Sequence, residues 1–110
     1  MAERFRDVEV DLAKLRDYCL SESHPRGRHK ARLFRSRLGL TSEHAEMLRR
    51  ALLDAVRGHG LRHAGDDRYG RRYALEFDMT TASGKATIRS VWIVLAGQDV
   101  LRLVTCFVLR

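Results

Sequence analysis

In Tyr73-Ala74-Leu75-Glu76-Phe77-Asp78-Met79 the large apolar residues take every second position, with Glu76 and Asp78 between them. A period of two is that of a strand with one buried face. Downstream the period stays at two, and upstream it is helical. The chain therefore reads as α+β: two or three N-terminal helices packed on a three- to four-stranded antiparallel β-meander. After residue 79, Thr81-Ala82-Ser83-Gly84 makes a turn. Lys85 to Leu95 forms the next strand, apolar on both faces near Val91-Trp92-Ile93-Val94 and so central. Ala96-Gly97-Gln98-Asp99 turns again, and Leu101 to Leu109 is the last strand.

Upstream, His59 to Gly70 reads as a loop, with glycines at 58, 60, 65 and 70. Before it lies a helix capped by Thr41 or Ser42, running to about Arg57 and burying Leu48, Leu52 and Ala55. An earlier helix spans about Arg26 to Leu38, with Pro25 in its first turn, Ala31, Phe34 and Leu38 inward, and Gly39 at its end. Asp11 to Leu20 gives a first short helix through Leu12, Leu15 and Cys19. Residues 1–9 read as a loosely ordered segment, and residues 1–110 as one domain.

Basic residues outnumber acidic ones by 21 to 14, a net charge of +7 with a pI near 10.2. Such a surplus favours anionic partners: nucleic acid, an acidic protein or an anionic membrane surface. Lysine occurs only at Lys14, Lys30 and Lys85. The remaining bases are arginine, which suits bidentate phosphate contact; a G- and C-rich genome has the same effect on composition. Cys19 and Cys106 form no C-x-x-C pair and read as two buried thiols in a reducing cytoplasm. The start, MAERFRDVEV, lacks the apolar core of a signal peptide, and no run is long enough to span a bilayer.

The stretch most suggestive of chemistry is His24-Pro25-Arg26-Gly27-Arg28-His29-Lys30. It gathers cationic and titratable groups at a helix start, where free backbone N–H groups also meet anions. Basic residues are slightly unfavourable there because the helix dipole is positive at that end. Phosphate binding is one reading, with His24 as acid or base; a solvated basic turn is the other. A second group lies on the sheet: Arg89, Trp92, Arg102 and Thr105. Arg89, Arg102 and Thr105 are candidate ligand contacts or members of a solvated face. Trp92 is a core residue or a stacking platform for a base. No metal or cofactor is expected. His59 and His63 lie four apart in a loop with no supporting thiolate, and Asp66-Asp67 or Glu76 and Asp78 read as solvated carboxylates.

One spaced set of residues resembles a bacterial family. It comprises Leu15 to Leu20, His24 to Phe34, Leu38-Gly39, Tyr69-Gly70-Arg71-Arg72-Tyr73, Val91-Trp92-Ile93 and Arg102-Leu103-Val104-Thr105. The chain is similar over nearly its whole length to the DUF6883 domains. Relatives often carry proline before the arginine of the last motif, where Leu101 stands here; the difference touches the start of that strand. The resemblance implies a toxin of a toxin–antitoxin pair or a toxic tip of a larger protein. Its layout is similar to barnase-, colicin- and RelE-type ribonucleases. On that basis the expected activity is metal-independent cleavage of RNA or tRNA. His24 would transfer protons, Lys30, Arg102 and Thr105 would complete the catalytic set, and Arg26, Arg28, Arg89 and Trp92 would bind substrate. The expected partners are RNA and a small acidic antitoxin, with a homodimer also compatible. The alternative is a non-catalytic basic module that binds nucleic acid or protein, including a phage-type inhibitor.

Overall fold

A computed structural model describes residues 5–58 and 60–109. Its elements, in chain order, are β1 (Asp7–Glu9), α1 (Leu12–Lys14) running into a π-helical turn (Leu15–Cys19), α2 (Arg28–Leu38), a 3₁₀ turn (Ser42–His44) leading into α3 (Ala45–Gly58), then β2 (Arg62–Asp67), β3 (Gly70–Thr81), β4 (Gly84–Leu95) and β5 (Val100–Val108). The fold is mixed α+β. One five-stranded sheet has the order β1-β5-β4-β3-β2.

The sheet is larger than the alternation predicts, and it is not purely antiparallel. Strands β3, β4 and β5 form the expected meander. On one edge β1 pairs with β5 in parallel, Asp7 opposite Val100 and Glu9 opposite Arg102. This strand lies in the segment expected to be loose. It is three residues long, and only its central Val8 is apolar, so it leaves no periodic signal. On the other edge β2 pairs antiparallel with β3, inside the stretch expected to be a loop. All six of its residues are polar or small, and almost all are exposed. An edge strand with both faces wet carries no alternation to read. What marks it is the turn: Asp67 Oδ1 accepts from the backbone N–H of Tyr69 (2.8 Å) and Gly70 (3.3 Å).

Helices cover one face of the sheet. Leu15, Phe34, Leu38, Leu48 and Leu52 are essentially fully buried against Tyr73, Ile88, Trp92, Leu101 and Cys106. Trp92 is wholly inside, and a polar chain fixes it there. Its indole N–H donates to Ser90 Oγ at 2.8 Å, and Ser90 Oγ donates to the Leu75 carbonyl at 2.9 Å. All three residues are buried, and the indole N–H and the Ser90 hydroxyl of this relay are both satisfied.

The helix starts depart from expectation in two places. Leu12 stands largely exposed, and the inward stripe is Leu15, Cys19 and Leu20. The Leu20 N–H reaches back five residues to the Leu15 carbonyl (2.9 Å), which widens the turn. Helix α2 begins at Arg28, two residues later than predicted, and Pro25 lies outside it. The cause is His24: its Nδ1 accepts from the N–H groups of both Arg26 and Gly27, each at 3.1 Å, and holds 24–27 as a turn. Gly27 then passes so close to the π turn that a Cβ on it would lie 2.4 Å from the Tyr18 carbonyl oxygen. At the other end Gly39 closes α2 as expected. No helix among the described residues is long and apolar enough to cross a membrane.

Candidate anion-binding site

Strand β1 accompanies β5 only as far as Arg102. Val10 and Asp11 then carry the chain away into α1. Beside the remainder of β5 the π turn and the start of α2 wall off an open cavity of about 640 Å³. Into it come His24 and Lys30 from the basic stretch and Thr105 from the last strand. Two groups seventy-five residues apart in sequence are thus brought to one place.

Lys14 and Tyr18 also line the cavity, and neither stood out in the sequence. Helical spacing at 3.6 residues per turn does not place Tyr18; the widened π turn does. Its ring meets the His24 ring edge-on, with centroids 4.6 Å apart. Lys14 Nζ donates to the Leu103 carbonyl at 3.3 Å. Lys30 Nζ lies 4.8 Å from the centre of the Phe107 ring. Among the described residues neither ammonium has a carboxylate within ion-pair distance. Asp17 and Asp11 complete the rim. Asp17 is neutralised locally: the Arg16 guanidinium hydrogen-bonded to it holds its carboxyl below the ordinary range. Asp11 Oδ1 accepts from the Ala13 N–H at 3.0 Å and caps α1.

His24 is set up as a donor. Two backbone N–H groups point at Nδ1, so the ring proton of the neutral imidazole resides on Nε2. A proton on Nδ1 would face both amides and break the turn. The ring therefore offers N–H to an anion, and of the two roles expected for His24, acid or base, the neutral ring in this turn presents the donor.

Behind the cavity lies a pair of buried thiols. The Cys106 thiol, hydrogen-bonded to Cys19, draws Cys19 down to about 6 against the opposing effect of burial; Thr105 and the charge of Lys14 add to the fall. Cys106 moves the other way, well above its ordinary value, because its bonded neighbour and its burial both disfavour a second thiolate. Thr105 Oγ1 is buried beside this pair and has no nitrogen or oxygen partner among the described residues. Its hydroxyl is turned to the Cys19 sulfur, while the Thr105 side chain forms part of the cavity wall.

The remaining candidates stand elsewhere. Arg102 lines an adjoining cavity of about 590 Å³, which shares Asp11 and Lys14 with the first. It is tied to Glu9 of β1 by a close ion pair. Arg26 and Arg28 are exposed at the start of α2 and line neither cavity. Arg89 lies on the face of the sheet away from the helices, 3.5 Å from Glu76, which also takes Arg62. Trp92, expected to bind substrate, is 0% exposed and offers no face to a ligand. His63 is bonded to Asp66 at 2.7 Å, and His59 lies outside the described residues. Among the described residues no three His, Cys, Asp or Glu side chains gather into a metal-holding group.

The family model described as "Domain of unknown function (DUF6883)" matches residues 2–110. The chain belongs to the DUF6883 family. Among curated proteins none matches it. The cavity residues Lys14, Tyr18, His24, Lys30 and Thr105 all fall inside the matched span.

Proposed function

We propose that this DUF6883 domain is the cytoplasmic toxin of a bacterial toxin–antitoxin pair and cleaves RNA without a metal, with the cavity at the edge of β5 receiving the phosphodiester. The observation that carries the reading is the convergence of His24, Lys30 and Thr105 with Lys14 on one open cavity. Cleavage by the neighbouring 2′-hydroxyl forms a bond from O2′ to phosphorus and breaks the bond to O5′. It leaves a 2′,3′-cyclic phosphate and a free 5′-hydroxyl. Negative charge builds on the non-bridging oxygens; in this reading Lys14 and the His24 Nε2–H stabilise it, and the Thr105 hydroxyl turns from Cys19 to join them. Asp11, the cavity carboxylate with no cation bound to it among the described residues, takes the O2′ proton. Lys30 supplies the proton to O5′. The net positive charge of the chain fits both RNA and a small acidic antitoxin.

A second reading, a non-catalytic module that grips RNA, is favoured by the occupied Nδ1 of His24, which leaves the cavity without a histidine base. One experiment separates them. Purified protein is incubated with total RNA and with tRNA in EDTA, and the RNA ends are sequenced. Cleavage with cyclic-phosphate ends, lost in Lys30→Ala and reduced in Asp11→Asn, supports the ribonuclease; Asn at 11 can still accept the Ala13 N–H, so the cap survives. Intact RNA that is nonetheless bound in a salt-dependent way supports the module. Neither cleavage nor binding would remove both. Toxicity in cells, relieved by the neighbouring reading frame, tests the pairing with an antitoxin.

A further inference from the structure

The charge of this protein is segregated. Residues 24–40 contain six of the 21 basic residues and none of the 14 acidic ones; the rest of the chain holds fifteen against fourteen. Nearly the whole surplus of +7 therefore sits on α2 and the turn that precedes it. Elsewhere arginines are commonly matched: Arg6 to Asp99, Arg16 to Asp17, Arg62 to Glu76, Arg72 to Asp67 and Arg102 to Glu9. On α2 only Arg35 has an ion-pair partner among the described residues, Glu22 at 2.9 Å. Arg28, Arg32 and Arg35 follow one another at i, i+4 and i+7 and form a single exposed row. Like charges at that spacing destabilise a helix by a few tenths of a kcal/mol per pair. Arg28 and Arg32 stand in this row without a matching carboxylate among the described residues, which points to an outside partner.

We infer that the outer row of α2 is a track for the sugar-phosphate backbone of an RNA strand, leading to the cavity at the helix start. Lys30, on the first turn of α2, lines that cavity, and Arg28 begins the row on the same turn. At a rise of about 1.5 Å per residue the eleven residues of α2 span about 16 Å, enough for several phosphates in line. The partner that fits is a polyanion with evenly repeated charge. This proposal rests on the RNA reading above, but it concerns binding and not cleavage.

The test uses a fluorescein-labelled twelve-nucleotide 2′-O-methyl RNA, which lacks the attacking hydroxyl, and measures its affinity against salt. Each phosphate contact on a single strand contributes about 0.7 to the slope of log K against log salt. Arg28→Ala/Arg32→Ala should lower the slope by about 1.4, so that its loss of affinity between 50 and 200 mM salt is about sevenfold smaller than that of the unmodified protein. Alanine keeps the helix. Arg50→Ala/Arg57→Ala on α3 removes the same charge elsewhere and should leave the slope within about 0.3 of the original. Equal effects of the two doubles would overturn the track, and so would a twelve-residue polyglutamate that binds as tightly and loses as much with Arg28 and Arg32. If only Lys14→Ala and Lys30→Ala reduce the slope, the track fails and the cavity reading stands. If the unmodified protein does not bind RNA, both fail.

Discussion

Replacing Gly27 with alanine would test whether the turn before α2 holds the cavity together. The backbone of Gly27 has φ −88° and ψ −17°, an ordinary conformation for any residue. By itself the loss of a glycine should stabilise the fold by about 0.4–1 kcal/mol through the unfolded chain. The added Cβ, however, would lie 2.4 Å from the Tyr18 carbonyl oxygen and 3.2 Å from its carbon. Reaching even 3.0 Å requires the π turn and α2 to part by about 0.6 Å, against backbone that cannot rotate away. Forcing an extra methyl into packed structure costs about 1–3 kcal/mol, so the contact outweighs the entropy gain. The expected melting temperature falls by roughly 5–15 °C. Because the parting moves Tyr18 and Lys14 from Lys30, affinity for RNA should fall as well. Gly58→Ala is the matched control: a Cβ there meets nothing within 4 Å, and the melting temperature should hold or rise. Calorimetry on the two variants decides it. If Gly27→Ala melts at or above the temperature of the parent, α2 and the π turn are not in the contact described.

Further outcomes are expected. Ser90→Ala should cost about 1–3 kcal/mol in denaturant unfolding, since it strands the buried Trp92 N–H and removes a donor to Leu75; an unchanged midpoint would refute the polar chain. Long-range nitrogen–proton NMR should find the neutral His24 ring protonated on Nε2, and an Nδ1–H signal would contradict the turn geometry. The bond and charge of Arg62 hold the Glu76 carboxyl low, and those of Arg72 do the same for Asp67. A depressed carboxyl adds stability above its unfolded value and loses it as pH falls through the folded one. Melting temperature should therefore drop below pH 4.5 less steeply in Glu76→Gln than in the parent; parallel curves would show that these exposed pairs add nothing.

The parts of the fold legible in the sequence were those with a buried face. Leu48, Leu52 and Ala55 repeat at helical spacing because α3 presses one side on the sheet, and Tyr73, Leu75 and Phe77 alternate because β3 does the same. Strands β1 and β2 have little or no buried face, and pairing alone defines them. For the site, the charge of residues 24–30 located one wall, and Thr105 the other. Tyr18 depended on a widened turn that spacing does not announce, and Lys14 on the packing of α1 beside β5. Arg102 stood ahead of Arg89 in the sequence reading, yet each is paired with a carboxylate on the strand beside it, Glu9 for Arg102 and Glu76 for Arg89, and cross-strand pairing is not visible in spacing. Trp92 could be read either way until its indole N–H was followed to Ser90.

The parallel pairing of β1 with β5 has a consequence for when the cavity can form. Glu9 and Arg102 are 93 residues apart, so the chain closes on itself only when its last strand is present. Loop closure over that distance is slow and comes late in folding. Asp11 and Lys14 follow directly on β1, while Thr105 stands on β5. A nascent chain emerging from the ribosome would thus carry its basic helix without an assembled cavity, and a translating cell would meet a complete site only after synthesis had passed the final strand.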